Sequence, residues 1–126
     1  EDKGYFGRAV NVQEISAVTA ACMLMKAEDF QAVGGFDEEF VVAFNDIDLC
    51  MKARAAGKKV VFTPYAELYH YESKSRGMED TPEKQFRFEK ETKRFEEKWG
   101  DEMAKGDPYY NPNLSLKEAD CSLRED

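Results

Sequence analysis

Residues 82–105, PEKQFRFEKETKRFEEKWGDEMAK, read as one uninterrupted helix, and a helix of that length constrains the rest of a 126-residue chain more than any other feature. Thr81 supplies an N-cap, Pro82 the first helical position, and Gly106 the stop. Phe88, Phe95, Trp99 and Met103 recur near the helical period, so that side docks on the remainder of the chain.

What the helix docks on must come from residues 11–71. NVQEISAVTAACMLM, 11–25, is rich in Val, Ile and Thr and then continuously apolar, as expected of one or two strands buried on both faces; its Ala-Ala-Cys-Met-Leu-Met end keeps a helix open as the alternative. AEDFQAV, 27–33, predicts a short helix stopped by Gly34 and Gly35. FVVAF, 40–44, is apolar and undecided between states. From Asn45 or Asp46, as cap, a second helix places Ile47, Cys50, Met51 and Ala55 on one apolar side and ends at Gly57. KVVFT, 59–63, predicts a strand ended by Pro64, and AELYHY, 66–71, another extended piece. ESKSRGMEDTP, 72–82, is polar and reads as a surface loop; the tail from 106 is irregular around Pro108 and Pro112. Strands separated by short helices point to an α/β fold in one domain, with too few strands for a complete doubly wound sheet.

Charge narrows the partners. Eighteen basic against twenty-six acidic side chains give a formal net charge of -8, and no basic stripe offsets it, so nucleic acid is not an expected ligand. Three cysteines without C-x-x-C spacing favour a reduced, cytosolic setting. No apolar run approaches the ~18 to 20 residues of a membrane span, and no basic-then-apolar leader is visible. A start at Glu1-Asp2 suggests a processed protein or a piece of a longer one.

Three stretches could carry chemistry: GGFDEEF at 34–40, NDIDLC at 45–50 and LYHYESKSRG at 68–77. Each has a plain structural reading. Asp46 serves as an N-cap, Asp48 compensates the dipole of a first helical turn, and Asp37 with Glu38 is ordinary turn chemistry. His70, the sole histidine, reads as a hydrogen-bonded structural residue, and Arg76 as an exposed loop residue. Consecutive helical residues advance about 100°, so Asp46 and Asp48 cannot both face one small site if both are helical. With Asp46 at or before the cap, its carboxylate projects from the helix mouth and is free to act as a base. No nucleophile triad, structural zinc site, P-loop or G-x-G-x-x-G is present.

Taken together these stretches resemble the C-terminal half of family 2 glycosyltransferases, the inverting, nucleotide-sugar-dependent enzymes of the GT-A fold. The resemblance runs through VTAACMLMKAEDFQAVGGFDEEFVVAFNDIDLCMKARAAGKKVVFTPYAELYHYESKSRG, 18–77, and DPYYNPNLS, 107–115, looks like the tail of bacterial members that build cell-surface polysaccharide. It implies a partial GT-A fold: a lead-in over 1–17, a catalytic core segment over 18–77, the long helix over 82–105 and a tail over 106–126, forming a few-stranded mixed sheet with flanking helices. By the same resemblance Asp46 is the catalytic base, supported by Asp48 and by Asn45, where many members carry an acid. Gly35, Phe36 and Asp37 border the acceptor pocket, Ser73, Ser75 and Arg76 lie in a loop over the donor phosphates, and His70 contacts a divalent metal (Mg²⁺ or Mn²⁺) expected only with donor bound. The implied partners are a nucleotide-sugar donor and a saccharide acceptor.

The family's nucleotide-binding βαβ region and Asp-x-Asp metal motif precede the matching segment, so the chain is expected to be an acceptor-side fragment, inactive alone and cytoplasmic, with membrane association left open for the intact protein. The rival expectation is a non-catalytic binding or assembly module that pairs with a partner or forms a homodimer through exposed sheet edges.

Overall fold

The computed structural model describes residues 3–71, 81–118 and 120–124. A kinked 3-10 segment, Tyr5–Val10, leads into β1 (Gln13–Glu14) and a 3-10 turn, Ala20–Cys22. Then follow α1 (Ala27–Ala32), α2 (Asn45–Ala55), β2 (Val61–Phe62) and α3 (Pro82–Ala104).

The long helix forms as its ends dictate. Thr81 Oγ1 accepts the Lys84 amide at 3.3 Å, Pro82 opens α3, and the Gly106 N–H closes on the Met103 carbonyl at 3.0 Å with Gly106 in the left-handed region. Its docked face is narrower than the apolar stripe predicts: Phe95 is buried, while Phe88 and Met103 are 48% and 45% exposed. At 23 residues α3 is about twice as long as α2, with 11. Glu91, on the docked face, is instead buried.

α2 buries Asp48, Leu49, Cys50 and Ala53. The side expected from sequence is therefore rotated: Ile47 and Ala55 face outward, because α3 holds α2 through Asp48 and the Cys50 thiol meets the Val18 carbonyl at 3.7 Å. Gly57 ends the helix as predicted, its N–H donating to the Arg54 carbonyl at 2.9 Å. α1 stops where Gly35 donates to the Phe30 carbonyl at 2.8 Å.

Among the described residues the sheet is one antiparallel pair, Gln13 opposite Phe62 and Glu14 opposite Val61, extended by an Ile15 to Val60 backbone bond of 3.0 Å. This is smaller than the mixed sheet expected. Residues 18–25 do not form a strand buried on both faces; they hold the 3-10 turn, and Leu24 is 99% exposed. Residues 66–71 likewise form no strand and are exposed. A strand buried on both faces needs a layer on each, and the described chain supplies one side only. The tail returns to the core: Leu114 is buried and bridges Leu123 in an antiparallel pair.

Candidate active site

The mouth of α2 is built on strain. Phe44, at its N-cap, has φ 64, a left-handed conformation that costs a bulky residue about 1–3 kcal/mol and persists only where its surroundings enforce it. They do so on two sides. The Phe44 ring stacks on Phe88 and Phe95 of α3, with ring centroids 5.7 and 5.0 Å away. The Glu91 carboxylate receives the amides of Val41 (2.7 Å), Val42 (3.1 Å) and Ala43 (2.8 Å). A carboxylate buried among apolar side chains is tolerable only with such donors, and here a single side chain fixes the whole run that delivers the helix start. Sequence reasoning missed Glu91; its one signal is an acid three residues after Phe88 and four before Phe95, on the docking side of the stripe.

The helix begins at Asn45, with Phe44 rather than Asn45 or Asp46 as cap residue. Both polar side chains nevertheless serve the first turn. Asn45 Oδ1 accepts the Asp46 amide at 2.8 Å. Asp46 Oδ1 accepts the Ile47 amide at 2.9 Å and Oδ2 the Ala20 amide at 3.0 Å. The carboxylate of Asp46 is thus held by backbone on each oxygen, as a residue inside the first turn rather than as the N-cap expected of it, and it is half-buried rather than enclosed. Each carboxylate oxygen offers two lone-pair sites, so one on each stays available for a hydroxyl proton.

Asp48 lies elsewhere. It has no exposure, and its Oδ1 accepts from Trp99 Nε1 and lies beside Lys98 Nζ, each at 2.8 Å, while Lys52 Nζ stands 3.4 Å from Oδ2. It ties α2 to α3 and has no access to a substrate. Of the expected acceptor residues, Asp37 is bound to α3 by Arg94 and Lys98, each at 3.0 Å. Partial burial pushes its carboxyl up, but hydrogen bonds from Lys98, the Glu39 amide and Arg94 outweigh that and hold it at about 2. Gly35 is buried, and its carbonyl accepts from Lys52. Phe36 is 46% exposed, edge-on to Phe30. Lys98 therefore joins Asp37 and Asp48, two residues that sequence places eleven apart.

His70 lies in the exposed stretch after β2; Ser73, Ser75 and Arg76 lie outside the described residues. Among the described residues no group of three or more His, Cys, Asp or Glu side chains could hold a metal ion. The three cysteines are free, and burial pushes the Cys50 thiol up, away from nucleophile chemistry. No helix among the described residues is long and apolar enough to cross a membrane.

Beside the α2 mouth lies a groove of about 790 Å³. Met23, Leu24, Val60, Phe62, Leu49 and Cys50 are among its lining residues. Ala20, whose amide Asp46 accepts, is flanked in sequence by the lining residues Thr19 and Ala21.

The chain is 55% identical over 124 residues, 98% of its length, to an uncharacterized protein, y4gI, of Sinorhizobium fredii. It is 39% identical over 126 residues, 94% of its length, to the O-antigen biosynthesis protein RfbC of Myxococcus xanthus. Over 60 residues, 48% of its length, it is 35% identical to the N-acetylglucosaminyl-diphospho-decaprenol L-rhamnosyltransferase of Mycobacterium tuberculosis. It spans only 14%, 9% and 20% of these relatives. No protein-family model and no solved structure matches the chain.

Proposed function

We propose that this chain is the acceptor-side portion of an inverting, family 2-like glycosyltransferase of GT-A fold, acting in polysaccharide biosynthesis. The reading rests on its likeness to a rhamnosyltransferase and to an O-antigen biosynthesis protein, and the geometry of the α2 mouth supports it. Asp46 is the general base. The acceptor hydroxyl gives its proton to a free lone pair of the Asp46 carboxylate while its oxygen attacks the anomeric carbon, on the face opposite the departing nucleoside diphosphate. The Ile47 and Ala20 amides keep the carboxylate from turning away. Asp48, Asn45 and Asp37 act as framework rather than as contacts to the sugar. Phe36, exposed on the turn before α2, is the residue of that segment able to meet an acceptor. Mg²⁺ or Mn²⁺ belongs to this reading as an ion brought by the donor diphosphate, with His70 as a contact.

The test is transfer from a panel of nucleotide sugars by the intact protein carrying this chain and by its Asp46→Asn variant. Removing a general base is expected to lower turnover by about 10² to 10⁴ with donor binding retained; full activity in the variant excludes Asp46 as base. The chain alone is expected to be inactive, and efficient transfer by it would show that the other half is dispensable.

The apolar groove favours a second reading, a binding or assembly module, because its lining suits a packed polypeptide better than a sugar nucleotide. Calorimetric titration of the intact protein with a nucleoside diphosphate and Mn²⁺ separates the two. Binding that depends on His70 supports the transferase, and none at millimolar ligand favours the module.

A further inference from the structure

Residues 41–48 are gripped by α3 at both ends, and Asp46 lies inside the grip. Upstream, Glu91 takes the three consecutive amides of Val41, Val42 and Ala43. Downstream, Trp99 and Lys98 take Asp48. Between them the left-handed Phe44 is pressed against Phe88 and Phe95. A bulky residue keeps a disfavoured backbone only where its neighbours over-determine it, and such strain gathers where a side chain must be aimed. A glycine at position 44 would turn the chain without strain but would lose the stacking on Phe88 and Phe95.

We infer that Glu91 is a positioning residue for Asp46: by gathering the 41–43 amides it fixes the strained turn at Phe44 and so the direction in which the Asp46 carboxylate leaves the α2 mouth. Glu91 touches no substrate; it acts through the backbone. The catalytic consequence rests on the glycosyltransferase reading, whereas the geometric one does not. Replacement by Gln tests it, because an amide keeps the size but has one acceptor oxygen, and its NH₂ faces a backbone N–H.

The experiment follows amide hydrogen exchange in the folded chain by NMR, comparing Glu91→Gln with the exposed control Glu89→Gln. Exchange of the Ile47 and Ala20 amides, which report on the Asp46 carboxylate, is expected to speed up by about tenfold or more in Glu91→Gln, while the amides of Met51 to Ala53 stay near wild type. Unchanged Ile47 and Ala20 exchange overturns the inference, and so does uniform acceleration, which is loss of stability alone. Should Glu91→Gln not fold, Glu91→Asp keeps the charge and shortens the reach, and the same selective pattern decides. In the intact protein Glu91→Gln is expected to lower kcat with the donor KM unchanged. If Asp46→Asn keeps full activity, the transferase role of Asp46 fails while the exchange result still decides the role of Glu91.

Discussion

Trp99 donates its indole N–H to Oδ1 of Asp48 at 2.8 Å, joining α3 to α2 through a carboxylate with no solvent exposure. The pair explains why a residue expected as support for the catalytic base serves as a structural tie. Trp99→Phe keeps the ring packing but removes the donor, and is expected to cost about 1–2 kcal/mol. Asp48→Asn takes the carboxylate from Lys52 and leaves Lys98 with Asp37 alone, and should cost more, about 2–4 kcal/mol. Urea unfolding followed by circular dichroism measures both, and a smaller loss in Asp48→Asn would contradict the arrangement.

The ion pairs of Asp37 predict a pH dependence. Its carboxyl is held at about 2 in the folded chain against an ordinary value of 3.8. The depressed value means that the stabilisation is complete above pH about 4 and is lost as the pH falls toward about 2. The stability difference between wild type and Asp37→Asn, from urea midpoints at several pH values, should shrink across that window and stay flat from pH 5 to 7.

Phe44 offers a test of backbone strain. Phe44→Ala and Phe44→Gly both lose the stacking on Phe88 and Phe95, but only glycine adopts φ 64 freely. Phe44→Gly should therefore be the more stable by about 1 kcal/mol, the reverse of the order inside a helix. Thermal unfolding of the two variants decides the sign.

The two glycines after α1 should differ. Both have positive φ, so alanine is strained at either, but a Cβ at Gly34 meets nothing within 4 Å, whereas one at Gly35 falls 3.1 Å from the Phe30 ring. Gly34→Ala is expected to cost about 1 kcal/mol and Gly35→Ala about 1–2 kcal/mol more, as a packed ring must shift. Equal losses in chemical denaturation would show that Phe30 yields freely.

The sequence by itself determined what depends on neighbours along the chain. Thr81, Pro82 and Gly106 bounded α3; Gly34 and Gly35 stopped α1; Gly57 ended α2. Each is a backbone preference or a cap that acts within a few residues. Only the tertiary structure decided which side of α2 is inside, that Asp37 and Asp48 share Lys98, and that Glu91 holds the turn before the α2 mouth. These contacts join residues 48 to 61 positions apart across a helix interface. Nothing in a local pattern separates a charge aimed at such an interface from one aimed at water. The same holds for residues 18–25: their apolar character asks for burial, but whether a covering layer exists is settled by what packs on them, not by their own sequence.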